Sequence, residues 1–186
     1  LLGSTEVLTP LIARALATSK TKTIVDLCSG GGGPMPMVAA KLRAAGGYDD
    51  LHVTLSDLYP NQNAAAEINA KSATGVRYEP KSVDAGNVSA DLKGVRSMVC
   101  SMHHMPPPVA RRILQDAATK QQPLCIFEIS NNSPPVWLWW LGIPVGFIAV
   151  FFLTPLVRPM TWKQIVFTYF IPILPLLIAW DGAASN

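Results

Sequence analysis

Apolar and polar positions along the chain follow two alternating periods. Leu8, Leu11, Ile12, Ala15 and Leu16 recur at helical spacing in LLGSTEVLTPLIARALA, so the first element reads as an amphipathic helix. A β-branched and aliphatic run over residues 23–27 reads as a buried strand. MPMVAAKLRAAGG returns to a helical pattern and closes on Gly46-Gly47, residues suited to a helix C-terminus. LHVTLSDLY is a second strand closing on Asp57, and NQNAAAEINAKSATG is a helix with Asn61 as its cap. VRYEPKSVD reads as a short third strand leading to Asp84. VRSMVCSM, PPVARRILQDAATK and PLCIFEIS supply a fourth strand, a fourth helix and a fifth strand. Strands alternating with helices at this spacing predict an α/β fold whose mostly parallel sheet is covered on both faces.

The pattern then changes abruptly. Residues 129–157 and 164–180 contain no charged residue, and all five tryptophans lie beyond Glu128. VWLWWLGIPVGFIAVFFLTPLV has 22 residues without charge and QIVFTYFIPILPLLIAW has 17, lengths near that of a bilayer core. Trp137, Trp139, Trp140, Trp162 and Trp180 fall near the ends of the two runs, as at a membrane interface. Gly142, Pro144, Gly146, Pro155, Pro172 and Pro175 interrupt straight spans, and Arg158 and Lys163 in the connector disfavour moving it outward. A re-entrant or interface-lying helical pair is therefore expected, in preference to a transmembrane hairpin. A soluble apolar lid is the alternative. The division expected is a soluble domain over residues 1–133 and a hydrophobic membrane-associated or lid segment over 134–186.

The length, 186 residues, suits one α/β domain with a tail. A formal charge of +3, with scattered basic residues, gives no basic stripe and argues against nucleic acid as a partner. Cys28, Cys100 and Cys125 sit in or beside strand-like runs without a zinc spacing, so they read as buried reduced thiols, no metal is expected, and the domain is placed on the cytoplasmic side. The N-terminus has no basic region ahead of its apolar residues and reads as a helix, not a signal peptide. The sequence opens without methionine and is expected to be a fragment.

Candidate chemistry gathers at one place. Ligands on parallel sheets bind at the carboxyl ends of the strands. Asp26, Ser29, Asp57, Asp84, Ser101, His103, His104 and Glu128 nearly all lie at or just beyond such ends. The turn after the first strand, in TIVDLCSGGGGP, is rich in glycine, which lets backbone come close to a ligand. A side chain at Gly32 is expected to crowd that ligand while leaving the fold intact. A phosphate-binding P-loop would need Gly-Lys-Ser/Thr, where Pro34-Met35 stand instead. A dinucleotide fingerprint would need a third glycine where Pro36 stands, which leaves a nicotinamide-dependent reductase as a weaker reading.

VDLCSGGG resembles the first motif of class I S-adenosylmethionine-dependent methyltransferases, with Asp26, Gly30 and Gly32 in matching positions. The resemblance continues in order over residues 10–130. Asp57, followed by Leu58, ends the second strand where that family holds the ribose hydroxyls. Asp84-Ala85 follows the third, where the family contacts adenine, and SMHHMPP follows the fourth, like its His-containing fourth motif. More specifically the chain is similar to bacterial and fungal methyltransferase-like proteins with a hydrophobic tail after the fifth strand. Cys28 departs from the pattern, since it stands where the family has its first glycine.

The resemblance implies a Rossmann-like, doubly wound fold and S-adenosyl-L-methionine as cofactor. It implies cofactor binding by Asp26, Cys28, Ser29, Gly30, Gly32, Asp57, Leu58, Asp84, Ala85 and Ser101. Methyl transfer from a sulfonium needs in-line positioning, with a base only where the nucleophile must lose a proton. His103 and His104 are the candidates for that base, and Glu128 would orient one of them or meet a cationic group. The expected activity is methyl transfer to an apolar or lipid-like small molecule at a membrane. The alternative is a non-catalytic, membrane-anchored nucleotide-binding or scaffold protein. The family's closing antiparallel strand pair is missing before the chain stops at WDGAASN, so a truncated copy or an incomplete segment is expected.

Overall fold

The computed structural model describes residues 4–71, 75–129, 136–157 and 160–184, without the side chains of 136–141 and 182–184. Contacts divide the chain into two compact units, 1–129 and 130–186.

In the first unit, helix α1 (Ser4–Ser19) precedes strand β1 (Thr23–Leu27), α2 (Met35–Ala44), β2 (His52–Leu55), α3 (Gln62–Ala70) and β3 (Val76–Tyr78). Strand β4 (Val95–Val99), α4 (Pro107–Thr119) and β5 (Leu124–Phe127) complete it. The five strands lie in the order β3-β2-β1-β4-β5 with every pairing parallel, the Rossmann-like arrangement expected. Register places Asp26 beside Leu55 on one side and Ser97 on the other.

Alternation along the strands sorts the core into two. Ile24, Val53, Leu55, Val76 and Val95 face α1, α2 and α3, where Leu8, Ile12, Leu16, Val38 and Leu42 are buried. Each such side chain contributes about 1.5–3 kcal/mol on burial. Leu11, on the expected apolar stripe of α1, is instead exposed, because the buried face narrows to the i, i+4 positions Leu8, Ile12 and Leu16. Val25, Leu27 and Met98 point the other way and meet Ile113 of α4 with Ala85 and Val88. No helix lies between β3 and β4. That connection packs Ala85 and Val88 onto the sheet through turns closed by Asn87 N to Asp84 O and Leu92 N to Ser89 O. Strand β3 is also shorter than the run to Asp84 suggested: after Glu79 N bonds Leu55 O, Pro80 has no amide to extend the ladder. Asn61 caps α3 as expected, its side chain accepting from Ala64 N.

Arg96, in the middle of β4, is 1% exposed and pairs through Nη1 with Asp116 of α4 at 2.8 Å. Lys120 bonds the other oxygen of Asp116 at 2.5 Å. Burial pushes the Asp116 carboxyl up, but hydrogen bonds from Lys120 and Arg96 outweigh it and hold it below the ordinary carboxylate range.

The second unit is helical: α5 (Val136–Leu153), a 3₁₀ turn (Thr154–Leu156), α6 (Trp162–Ile165) continuing as a π-helical turn (Val166–Phe170), and α7 (Ile173–Ala184). Helix α5 packs on α7. Among the described residues, buried polar groups of this unit bond locally. Thr154 Oγ1 donates to Val150 O at 2.7 Å and meets Thr168 Oγ1 at 3.4 Å, and Tyr169 donates to Phe151 O at 2.5 Å. Phe152, Phe170 and Trp180 are each about three-quarters exposed, with Val145, Ile148, Leu156, Trp162, Leu176 and Leu177 also outward. Among the described residues no single helix is long and apolar enough to cross a membrane. One pair, Trp162–Phe170 and Ile173–Asp181, meets that test together, bent by 85° at the break. Arg158 lies outside the described residues, as do the side chains of Trp137, Trp139 and Trp140.

Asp116→Ala leaves a buried guanidinium without its anion and is expected to lower stability by about 3–5 kcal/mol. Pairing it with Arg96→Met should recover most of the loss, because the buried charge then goes with its partner. Urea unfolding followed by circular dichroism measures both.

Candidate active site

The site begins with a carboxylate that water cannot reach. Asp26, the fourth residue of β1, is 3% exposed. Its Oδ2 accepts from Ser29 Oγ at 2.6 Å and its Oδ1 from Ser97 Oγ, also at 2.6 Å. Its carbonyl accepts from Ser56 N and Ser56 Oγ, both at 2.8 Å. Ser29 in turn exchanges bonds with Ser56, N to O at 2.9 Å and Oγ from N at 3.1 Å. The three middle strands of the sheet, β2, β1 and β4, are thus tied to the start of the glycine turn. Burial pushes the Asp26 carboxyl up to about 6, against the serine hydrogen bonds that favour its charge, and Asp57 adds to the rise. Asp26 therefore serves the turn's shape, and its oxygens are already engaged.

The turn itself takes several left-handed residues. Cys28 adopts φ 58°, the conformation a glycine would take without strain. Burial, then the nearby Asp57, Asp26 and Asp84 carboxylates, push its thiol up to about 11, so it is protonated at neutral pH. Gly30 follows at φ 54° and is clamped on both sides: its amide donates to Asp57 Oδ2 at 2.8 Å and its carbonyl accepts from Tyr78 Oη at 2.7 Å. A Cβ on Gly30, Gly31 or Gly33 would meet nothing within 4 Å, leaving room beside the backbone. Gly32 is different. Its φ is 105° and a Cβ there would lie 3.1 Å from Ile68 Cδ1 and 3.5 Å from Leu55 Cδ1, so a larger residue would disturb the core. The expectation that the fold is indifferent to a side chain at Gly32 does not agree with this geometry, whereas Gly30, Gly31 and Gly33 have an open side.

Asp57 stands beside the turn at the end of β2. Besides Gly30 N it accepts from Tyr59 N through Oδ1 at 2.9 Å. Two of a carboxylate's roughly four acceptor positions are thereby used, and two remain. Leu58 is exposed next to it, its carbonyl held by Ser82 Oγ at 2.7 Å. Asp84 accepts from Gly86 N at 2.8 Å and pairs with Arg112 of α4 at 3.3 Å, while Ala85 is buried in the second core, on which Cys28 packs.

Beyond β4, Ser101 opens the short 3₁₀ turn Met102–His104. Glu128, just after β5, reaches across and accepts from Ser101 N at 3.2 Å and Met102 N at 2.8 Å with Oε1. Its Oε2 lies 2.6 Å from His103 Nδ1. His104 is exposed, its ring 4.0 Å from that of His103. Ser101 Oγ is buried and has no hydrogen-bond partner. Contacts thus join Asp26 to Ser29, Asp57 to Gly30, and Ser101 and His103 to Glu128, whereas Leu58, Asp84 and Ala85 are held by neighbours outside the expected set.

Sequence reasoning missed Ser56, Ser97, Tyr78 and Arg112, which hold the expected residues in place. Ser97 carried a signal, a hydroxyl within the apolar run VRSMV, and Ser56 another, beside Asp57. Tyr78 carried none, because an aromatic in a strand reads as core.

No protein-family model matches the chain, and no curated protein matches it. Among solved structures it is similar to PKMT2 from Rickettsia typhi in complex with AdoHcy, at 14% identity and a TM-score of 0.47. The match covers 82% of this chain and 28% of that one, so the chain spans little more than a quarter of that protein's length.

Because Asp26 binds its proton more tightly folded than unfolded, its contribution is full below pH 3.8 and is lost as pH rises through about 6. The loss amounts to roughly 3 kcal/mol. In Asp26→Asn that part of the pH dependence should disappear, a flattening between pH 4 and 6.5 that urea midpoints across the range detect.

Proposed function

We propose that this chain is an S-adenosylmethionine-dependent methyltransferase acting at a membrane on an apolar or lipid-like acceptor, with its Rossmann-like unit on the cytoplasmic side. The observation that carries the reading is Asp57. It sits at the end of β2, holds the amide of Gly30, and keeps two acceptor positions open next to a turn whose outer glycines face open space. A ribose diol needs such a pair of acceptors, and an extended ligand needs such a turn.

The residues present fit the cofactor at two further points. Ser101 Oγ is a buried hydroxyl with no partner, and Gly30 offers a backbone flank that a Cβ would fill. Asp57 would hold the ribose hydroxyls, the glycine turn the amino-acid end, and Asp84-Ala85 with Leu58 the adenine. When bound, S-adenosylmethionine supplies an electrophilic methyl group on a sulfonium. The chain's own work is to orient: Asp26 and the three serines keep the turn in shape, Tyr78 fixes Gly30, and Glu128 holds the 3₁₀ turn that carries His103. His103 or His104 would take a proton from an acceptor that carries one.

The second unit supports a membrane setting. Its outward Phe152, Leu156, Trp162, Phe170, Leu176, Leu177 and Trp180 would be at home in an apolar environment. The bent pair around Ile171-Pro172 suits a re-entrant or interfacial position. Three unpaired cysteines suit a reducing compartment.

Calorimetry should detect S-adenosylhomocysteine binding to the full chain, and Asp57→Ala should weaken it at least about tenfold, because a charged acceptor is worth about 1.5–3 kcal/mol. Unchanged binding would remove Asp57 from the site. The full chain should also sediment with membranes, resist a high-salt wash and dissolve in detergent, since apolar attachment is not screened by ions. Release by salt alone would overturn the apolar attachment.

A further inference from the structure

We infer that a second site, a cavity at the amino-terminal ends of β4 and β5, binds a small oxyanion of the phosphate type through Arg96 and Lys93, in the field of Lys120. It is independent of the methyltransferase reading, whose residues lie at the opposite, carboxyl ends of the strands.

The cavity has a volume of about 140 Å³ and lies within the first unit. Ser89 and Leu92, from the connection without a helix, form part of its wall, together with Lys93, Arg96 of β4 and Lys120 just after α4. Three cations line it and no carboxylate does. Asp116 brings one negative charge to the two positive charges it pairs with, those of Arg96 and Lys120. One positive charge is therefore left over where the Arg96 side chain is 1% exposed. Lys93, open to solvent, adds a second. Excess charge held away from water is costly, and an anion offsets it.

Hydrogen bonding points the same way. Arg96 spends Nη1 on Asp116, and its Nε is buried without a partner. A charged donor left unpaired in the interior is expensive, so such atoms call for an acceptor. The Lys120 ammonium is engaged by Asp116, Val88 O and Asn87, so it supplies charge while Arg96 and Lys93 supply the contacts. Guanidinium N–H groups match oxyanions, and a tetrahedral one offers oxygens in several directions to donors arriving from different chain segments. Size limits the choice further. Pockets for drug-sized ligands run to about 300–1,000 Å³, so this cavity suits a free ion or the head of a phosphomonoester, not a nucleotide. An ion held there joins the turns between β3 and β4 to β4 itself, and its binding stabilises the folded unit.

The test uses the full chain in maltoside micelles, which contain no phosphate. Inorganic phosphate is titrated by calorimetry at constant ionic strength set with sodium chloride, and urea midpoints are measured with and without it. One ion should bind per chain, saturably, and raise the midpoint. Lys93→Ala, at an exposed position, should weaken binding roughly two- to fivefold, the worth of an exposed ionic contact. Arg96→Met combined with Asp116→Ala should weaken it at least about tenfold, because a buried charged donor contributes more. That pair leaves the net charge unchanged, so the loss reports the Arg96 donor and not the overall field. Circular dichroism checks that both variants remain folded. sn-Glycerol 3-phosphate separates the two sources of the same chemistry: tighter binding than inorganic phosphate assigns the site to a phosphomonoester head, such as that of a lipid, and weaker binding assigns it to the free ion. Three results overturn the site: no saturable binding of either compound, chloride competing as well as phosphate, or an affinity unchanged in either folded variant.

Discussion

A buried carboxylate must be satisfied by hydrogen bonds, and at Asp26 that requirement organises the sheet's C-terminal edge. Two serine hydroxyls, one from the glycine turn and one from β4, each approach to 2.6 Å. The backbone of the same residue accepts twice from Ser56 at the end of β2. Removing the group from water disfavours its charge, and the serine bonds only partly offset this, which is why its carboxyl is raised to about 6. Two neighbours along this edge are placed by that knot: the glycine turn rises from Ser29, and Asp57 follows Ser56 directly.

The other carboxylates at the edge are less deeply buried and serve differently. Asp57 spends two acceptor positions on backbone amides, Asp84 one on an amide and one on Arg112, and Glu128 three on two amides and an imidazole. Counting what is left separates a residue able to take a ligand from one that orients its neighbours. Asp57 keeps two acceptor positions, while Glu128 is nearly saturated by its neighbours. The same edge also holds an unpartnered hydroxyl, Ser101 Oγ, whose burial without a bond is costly.

The helical unit obeys a different constraint. Among its described residues, Thr154 donates to Val150 O and Tyr169 to Phe151 O, while Thr161, Lys163 and Asp181 are exposed. Many of its large apolar side chains, Phe152, Phe170 and Trp180 among them, are exposed. Such a surface is stable against lipid, where an unsatisfied polar group would be expensive and an exposed phenylalanine is not.

Sequence by itself determined what depends on neighbours along the chain. Strand and helix positions followed from periodicity, the cap of α3 from Asn61, and the edge carrying the acids from where apolar runs stop. It was legible, too, that composition changes after Glu128. Tertiary structure decided what depends on partners far apart. Ser97 reaches Asp26 across 71 positions, Tyr78 reaches Gly30 across 48, and Glu128 reaches His103 across 25. What a side chain at Gly32 would meet was likewise decided by Ile68 and Leu55, from α3 and β2. The connection between β3 and β4 holds no helix, and Ala85 and Val88 bury themselves from its turns. A local pattern records which side of an element is apolar. Which oxygen meets which hydroxyl is a matter of register, and register exists only once the strands have paired.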